Sequence, residues 1–308
     1  MEQLHEMLDR QSGVVSRRQL MGLGFNDDAV RKLLRRRELA KVHPGVYINH
    51  TGPLSWTSRA WAAVLYYEPA ALSHESALNL AGDIIHIAVH RHRNLRPRPG
   101  VVLHRIVEFE TRVAQHLSPP RVRIEHAALD VAAHCPRRAD AVALLTDLCQ
   151  RRRTTPSRLA EALASRRRQP RGVWLRAVLE DAGQGALSVL EQAYLRLERA
   201  HGLPRAVRQR PSRRKEKVAY HDVDYLPYRT IVELDGWVWH STPSHAAADH
   251  DRDLDAAIDG FTTIRLGWRQ AEDDPCNTAL RIGRVLQRAG WQGAPTPCSD
   301  SCAVLRGC

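Results

Sequence analysis

Acidic residues stand at alternate positions along two neighbouring apolar segments. Asp222 and Asp224 lie in the first, Tyr220 to Pro227, and Glu233 and Asp235 in the second, Thr230 to Gly236. Pro227 sits in the short turn between them, so the pair reads as a β-hairpin. Side chains alternate across a strand, which puts each acidic pair on one face of its strand. Carboxylates gathered on one side of paired strands repel one another, and a divalent cation with hard oxygen ligands removes that penalty. His240 follows shortly after Asp235 and adds a group that moves protons near neutral pH. The pattern is that of a nuclease site. An ordinary half-exposed strand also shows acids at period two, so the flanking segments must decide between the readings.

Those segments have a definite order. Ser188-Val189-Leu190-Glu191 opens a helical pattern with Leu187, Leu190, Tyr194, Leu195 and Leu197 on its apolar face. A short strand over Ala206–Gln209 follows, then the hairpin. Ser244 caps a helix that carries Asp249, Arg252 and Asp253 and runs to about Ile258, where Gly260 ends it. Thr262–Leu266 reads as a buried strand and Pro275–Ala289 as an amphipathic helix. The order is helix, three strands, helix, strand, helix.

With Glu191 on the first helix, Asp224 on the second strand and Glu233 on the third, this order resembles the PD-(D/E)XK nuclease superfamily. More narrowly, the stretch from about Gly185 to Trp291 resembles a Vsr-like domain. The residues that carry the likeness are Ser188 to Glu191, Val223-Asp224-Tyr225, Val232 to Gly236, Trp239-His240, Asp249 to Asp253, and Gly260-Phe261 before Ile264-Arg265-Leu266. The resemblance implies Mg²⁺ or Mn²⁺ held by Asp224 and Glu233, with Glu191 orienting a ligand or a water. It makes His240 the proton acceptor of DNA phosphodiester hydrolysis. The lysine of the superfamily's third motif is absent and Asp235 stands in its place, so a basic group must come from His240 or elsewhere. Asp222 and Trp239 are expected to support the site. Asp249 and Asp253 share one helix face with an i, i+4 spacing, and they and Arg252 either support the hairpin or act directly.

The N-terminus carries a second pattern. Leu4, Met7 and Leu8 are spaced as on a short amphipathic helix, and Ser16 with Gln19 forms a capping box. Asn26 caps a further helix with Asp27 and Asp28 in its first turn, where the macrodipole favours negative charge. Phe25 and Val30 are placed for a hydrophobic staple. Val30, Leu33 and Leu34 face inward on this helix, and Arg31, Lys32, Arg35 and Arg36 face outward. Segments Glu38–Val42 and Gly45–Ile48 flank His43-Pro44 as a hairpin that carries Lys41. Three helices and a hairpin in so short a stretch predict a winged helix-turn-helix, with Arg31, Lys32, Arg35, Arg36 and Lys41 as DNA-contacting residues.

This part resembles the N-terminal domain of AbiEi-type antitoxins of type IV toxin–antitoxin systems. The likeness runs through Leu39 and His43-Pro44-Gly45-Val46-Tyr47 to Ala71–Ala77 and Ile84–Val89. It implies promoter binding and repression, with a toxin linked through the operon rather than by contact. It also supplies a competing function, an antitoxin or transcriptional repressor with an unused nuclease fold. A net charge of +12 agrees with a polyanionic partner, DNA before RNA. Helix-turn-helix proteins often bind two half-sites, which is compatible with a homodimer.

His86, His90, His92 and His104 read as surface or phosphate-contacting residues, because neither a carboxylate cluster nor an HExxH helix accompanies them. Cys135 and Cys149 read as buried thiols. Cys298, Cys302 and Cys308 lack a paired CxxC, so no zinc pattern is expected there. The N-terminus lacks the apolar core of a signal peptide, and no apolar run approaches the roughly 20 residues that cross a bilayer. A cytoplasmic protein is expected. The chain thus reads as multi-domain α/β: a winged helix over 1–50, an α/β middle region over 51–150 and a basic helical connector over 151–184. An αβββαβα nuclease-like domain over 185–293 and a disordered tail over 294–308 complete it.

Overall fold

The computed structural model describes residues 2–80, 82–184, 188–214, 217–236 and 254–306. Helices and mixed sheets together make an α/β chain, which divides into two compact units, Met1–Val131 and Ala132–Cys308.

The first unit begins with α1 (Glu2–Arg10), β1 (Val14–Ser16), α2 (Arg17–Gly22), α3 (Asp27–Arg35), β2 (Ala40–His43) and β3 (Val46–Ile48). The capping signals act as their chemistry dictates. Ser16 Oγ accepts from the Gln19 N–H while Gln19 Oε1 accepts from the Ser16 N–H, at 3.2 and 2.9 Å. Asn26 accepts from the Ala29 N–H at 2.8 Å, which starts α3. Leu4, Leu8, Leu20, Val30 and Tyr47 form the core beneath these helices, with Phe25 against it as the staple requires. The three strands pair in the order β1-β3-β2, antiparallel throughout. Strand β1 is absent from the sequence expectation: three residues ahead of a capping box carry too little periodicity to stand out.

Next come α4 (Trp56–Tyr66), β4 (Ala70–Leu72), α5 (His74–Ala77), β5 (Ile85–His90), β6 (Val101–Ile106), α6 (Phe109–Arg112), β7 (Val113–Ala114), β8 (Arg121–Val122) and α7 (Ile124–His134). Their strands make a five-stranded mixed sheet, β6-β5-β4-β8-β7. Helix α7 crosses the division between the units.

The second unit opens with α8 (Arg138–Gln150), α9 (Pro156–Ala164) and α10 (Gly172–Gln184). The expected boundaries at 150/151 and 184/185 therefore fall inside a single unit. Val142 of α8 and Val178 of α10 belong to the same core as the C-terminal sheet, so these helices do not behave as a middle region and a connector. Asp273 accepts the N–H groups of Arg138 and Ala139, both at 3.1 Å, and so caps α8 from far along the chain. Arg138 also pairs with Glu272 and lies over the Trp174 ring.

Helix α11 (Ser188–Ala200) leads into β9 (Val207–Arg214), β10 (Lys217–Tyr225) and β11 (Thr230–Asp235), with a short 3₁₀ turn at Leu226–Tyr228 between the last two. Residues 254–258 are helical (α12) and end at Gly260, whose φ of +75° suits a residue without a Cβ. Strand β12 (Thr262–Gly267), a π-helical turn at Arg269–Asp273, α13 (Pro275–Arg288) and α14 (Ala303–Arg306) follow. The sheet order is β12-β11-β10-β9, with β11 and β12 parallel and the other pairs antiparallel. Pro211 lies in β9, the edge strand, where a missing N–H is tolerated.

The expectation of a disordered tail is corrected for the described part of 294–308. The Thr296 N–H donates to the His201 carbonyl at 2.8 Å, and Cys302 and Val304 are buried. Pro295 lies so close to Gly283 of α13 that a Cβ there would meet its Cγ at 2.2 Å. The segment is rich in Pro and Ser, which reads locally as solvated; its docking depends on residues at the end of and beyond α11 and on α13, which sequence spacing does not bring into view. Among the described residues, no helix is long and apolar enough to cross a membrane.

Candidate functional site

Strand alternation sorts the C-terminal sheet into two faces. Val223 and Tyr225 of β10, Val232 and Leu234 of β11 and Leu266 of β12 pack against Leu190, Tyr194 and Leu197 of α11 and Ile282 and Leu286 of α13. Pairing in register, Asp224 opposite Ile231 and Glu233 opposite Arg265, assigns Asp222, Asp224, Glu233, Asp235 and Arg265 to the other face. The hairpin and the common face therefore form as the alternation of acids predicts.

The acids are not equivalent. Asp224 is 1% exposed and lies within the paired part of the hairpin. Asp222 stands one position past the last matched pair, Val223 with Val232, and its carboxylate accepts the Leu234 N–H at 2.8 Å. Burial pushes the Asp222 carboxyl up to about 6. The Leu234 N–H opposes that shift, and the negative charges of Glu233, Glu191 and Asp235 add to it. Glu191, from α11, thus shares an electrostatic neighbourhood with three hairpin acids, and Asp222 is its centre. Sequence reasoning gave Asp222 only a supporting role.

Arg265 falls within a sequence motif that gave it no role of its own. Parallel pairing sets it opposite Glu233, and its guanidinium reaches Asp235 at 3.4 Å. Asp235 is acidic, and the neighbouring strand supplies a cation to the same face.

A buried polar network holds α11 against β9 and β10. Arg208 donates to Glu198 at 2.6 Å and lies over the Tyr194 ring, and Tyr194 and Tyr225 hydroxyls are 3.0 Å apart. Burial raises the Glu198 carboxyl while Arg208 holds it down. Glu191, Tyr194 and Glu198 fall on one stripe of the helix, so this network sets the rotation at which α11 presents Glu191.

No protein-family model matches this chain, and no curated protein matches it. The geometry therefore carries the functional argument. His240, Trp239, Asp249, Arg252 and Asp253 lie outside the described residues.

A group able to hold a metal ion lies elsewhere than on the acidic hairpin. Among the described residues, the group of metal-ligating side chains whose ligand atoms come within 4.8 Å of one another is His201, Cys276, Cys298 and Cys302. Asp222, Asp224, Glu233 and Glu191 are not drawn together to that degree. Thiolates and imidazole are soft or borderline ligands, so this group does not suit Mg²⁺ or Mn²⁺. The absence of a CxxC pair hid it, because two of its four members come from α13 and from the residue just past α11.

In the first unit, Arg31, Lys32, Arg35 and Arg36 are exposed along and just after α3, and Lys41 is exposed on β2. Arg31 pairs with Asp28 at 2.6 Å and Arg36 with Glu38 at 3.7 Å. Lys32, Arg35 and Lys41 make no such ion pair among the described residues. His74, His86 and His104 stack, with His86 Nδ1 at 2.9 Å from His104 Nε2 and Glu75 at 3.5 Å from His86. His74 is buried and the other two are half-buried, which corrects the surface reading of His86 and His104. Burial, reinforced by the charges of His74 and His86, lowers His104 to about 4.

Proposed function

We propose that this chain is a DNA-binding protein whose C-terminal unit is a restriction-endonuclease-like, Vsr-like domain that hydrolyses DNA phosphodiesters with Mg²⁺ or Mn²⁺. The observation that carries the reading is the placement of Asp222, Asp224, Glu233 and Asp235 on one face of the sheet, with the Asp222 carboxylate accepting the Leu234 N–H just past the last matched β10–β11 pair. Burial pushes the Asp222 carboxyl up to about 6, the charges of Glu233, Glu191 and Asp235 add to that shift, and a hard dication would relieve the acidic part of it. Asp224 and Glu233 would hold the ion, with Asp222 and Glu191 close enough to share its charge. When bound, such an ion neutralises phosphate and acidifies a water. Arg265 offers a guanidinium to the scissile phosphate in place of the missing lysine, and its contact with Asp235 holds it on that face. His240 is assigned the proton by resemblance alone.

The N-terminal order, three helices with a hairpin after the basic third, supports the winged-helix reading and with it delivery to duplex DNA. Lys32 and Arg35 are the expected phosphate-binding residues, since their charge is not spent on a neighbouring acid. Replacing both by alanine should weaken DNA binding uniformly across sequences. The slope of log K against log salt should become shallower by about 0.9 for each phosphate that is no longer neutralised.

The competing reading is an AbiEi-like repressor or antitoxin. It is favoured by the spread of the described carboxylates, which do not converge as tightly as the His/Cys group. Nicking of supercoiled plasmid by the full chain with and without Mg²⁺ or Mn²⁺, beside Asp224→Ala, separates the two. Metal-dependent nicking lost in the variant with DNA affinity retained supports the nuclease. Tight, salt-sensitive binding without cleavage by either protein supports the repressor.

A further inference from the structure

The His201, Cys276, Cys298 and Cys302 group has no part in the reading above. Its members come from three places: His201 just past α11, Cys276 in the first turn of α13, and Cys298 and Cys302 from the C-terminal segment. All four ligand atoms lie within 4.8 Å of one another, and the Cys276 and Cys298 sulfurs are 3.6 Å apart. A disulfide requires about 2.05 Å between sulfurs. Zn–S bonds of about 2.3 Å and Zn–N bonds of about 2.0–2.1 Å, at tetrahedral angles, place neighbouring ligand atoms about 3.6–3.8 Å apart. The observed spacing is close to that of a metal tetrahedron and far from that of a covalent bond.

The histidine supplies an independent sign. His201 is 1% exposed, and its Nδ1 lies 2.9 Å from the Leu197 carbonyl oxygen, which makes Nδ1 the protonated nitrogen. That bond leaves Nε2 with its lone pair, and Nε2 is buried without a hydrogen-bond partner among the described residues. A buried imidazole nitrogen with no donor is a costly arrangement, whereas a metal-bound histidine characteristically gives its other N–H to a backbone carbonyl.

We propose that His201, Cys276, Cys298 and Cys302 form a closed Cys₃His zinc site that fastens the C-terminal segment to α11 and α13. Zn²⁺ fits because four N and S ligands of this kind fill its coordination and leave no open position, as in structural rather than catalytic sites. On binding, the three thiols release their protons to solvent and become thiolates, while His201 binds as the neutral ring. The site would anchor the far end of α11, whose first turn carries Glu191. Its existence does not depend on the nuclease reading.

The test uses the full chain, purified under reducing conditions without chelator, with zinc measured by elemental analysis. About one zinc per chain is expected. Cys298→Ser, chosen because Cys298 is exposed, and His201→Ala should each lose most of it, while Cys135→Ser, outside the group, should keep it. Should the variants fold poorly, wild-type protein stripped of metal and titrated with Co²⁺ answers the question through thiolate-to-cobalt charge-transfer bands and tetrahedral d–d bands. Protein free of zinc that also takes up Co²⁺ without those bands would overturn the proposal. So would a Cys276–Cys298 disulfide found by mass spectrometry in protein kept reduced, or zinc retained in full by both variants.

Discussion

Two corners of the C-terminal unit gather groups able to bind metal, and they differ in how they are assembled. The acidic corner draws Asp222, Asp224, Glu233 and Asp235 from one hairpin, so alternation along two strands makes it visible in the sequence. Its described carboxylates do not form a group as tight as the His/Cys one, and the Asp222 carboxyl is raised to about 6 by burial, with the acids around it adding to the shift. The His/Cys corner draws on α11, α13 and the C-terminal segment, so no local spacing announces it, yet its ligand atoms sit within 4.8 Å. Like charges resist convergence until a cation is present, whereas neutral thiols and a neutral imidazole pack together without that penalty. A legible motif and a preformed site are therefore different things.

The sharpest way to break this contrast is Asp224→Ala. Plasmid nicking should disappear while zinc content and DNA affinity stay at wild-type levels. Cleavage that survives would remove the hairpin from the chemistry. Next in size is His201→Ala, which should lower the unfolding temperature, by about 2–4 °C for each kcal/mol lost in a unit of this size. Nicking should fall with it, though only in part, because α11 carries Glu191 at its opposite end. An unchanged melting curve would mean that the C-terminal segment docks without help from the cluster.

Arg265→Ala tests whether the acidic corner has its own cation. Nicking should decline more than DNA binding does, and Arg265→Lys should restore part of it; equal losses in both would make Arg265 a binding residue only. The smallest effect concerns the stacked histidines of the first unit, which are close together without being a metal group. His104 has a folded value of about 4 against an ordinary 6.5, so its neutral form is favoured by folding. The stability this contributes is complete above about pH 6.5 and is lost as pH falls toward 4. His104→Asn should flatten that part of the pH–stability curve, and added Zn²⁺ should leave the melting of the first unit unchanged. A zinc-dependent shift there would end the distinction drawn between the histidine stack and the His/Cys group.

Local chemistry made much of this chain readable. The Ser16–Gln19 box, the Asn26 cap and the hairpin around Pro227 each depend on residues a few positions apart and form as expected, and Phe25 packs against the core that holds Val30. What failed to be legible depends on packing between distant segments. Strand β1 exists because β3 pairs with it; α8 and α10 belong to the second unit because Val142 and Val178 enter its core; Arg265 faces Glu233 because β12 runs parallel to β11.

The sequence by itself determined the periodicities: which residues alternate on a strand, which stripe of a helix is apolar, and where caps and turns interrupt them. Those are properties of backbone geometry over a few residues. Only the tertiary structure decided which carboxylate bears the strain, which arginine answers it, and that His201 meets three cysteines. Burial, dielectric and ligand geometry are set by segments that fold against one another, and sequence spacing carries no direct record of those distances.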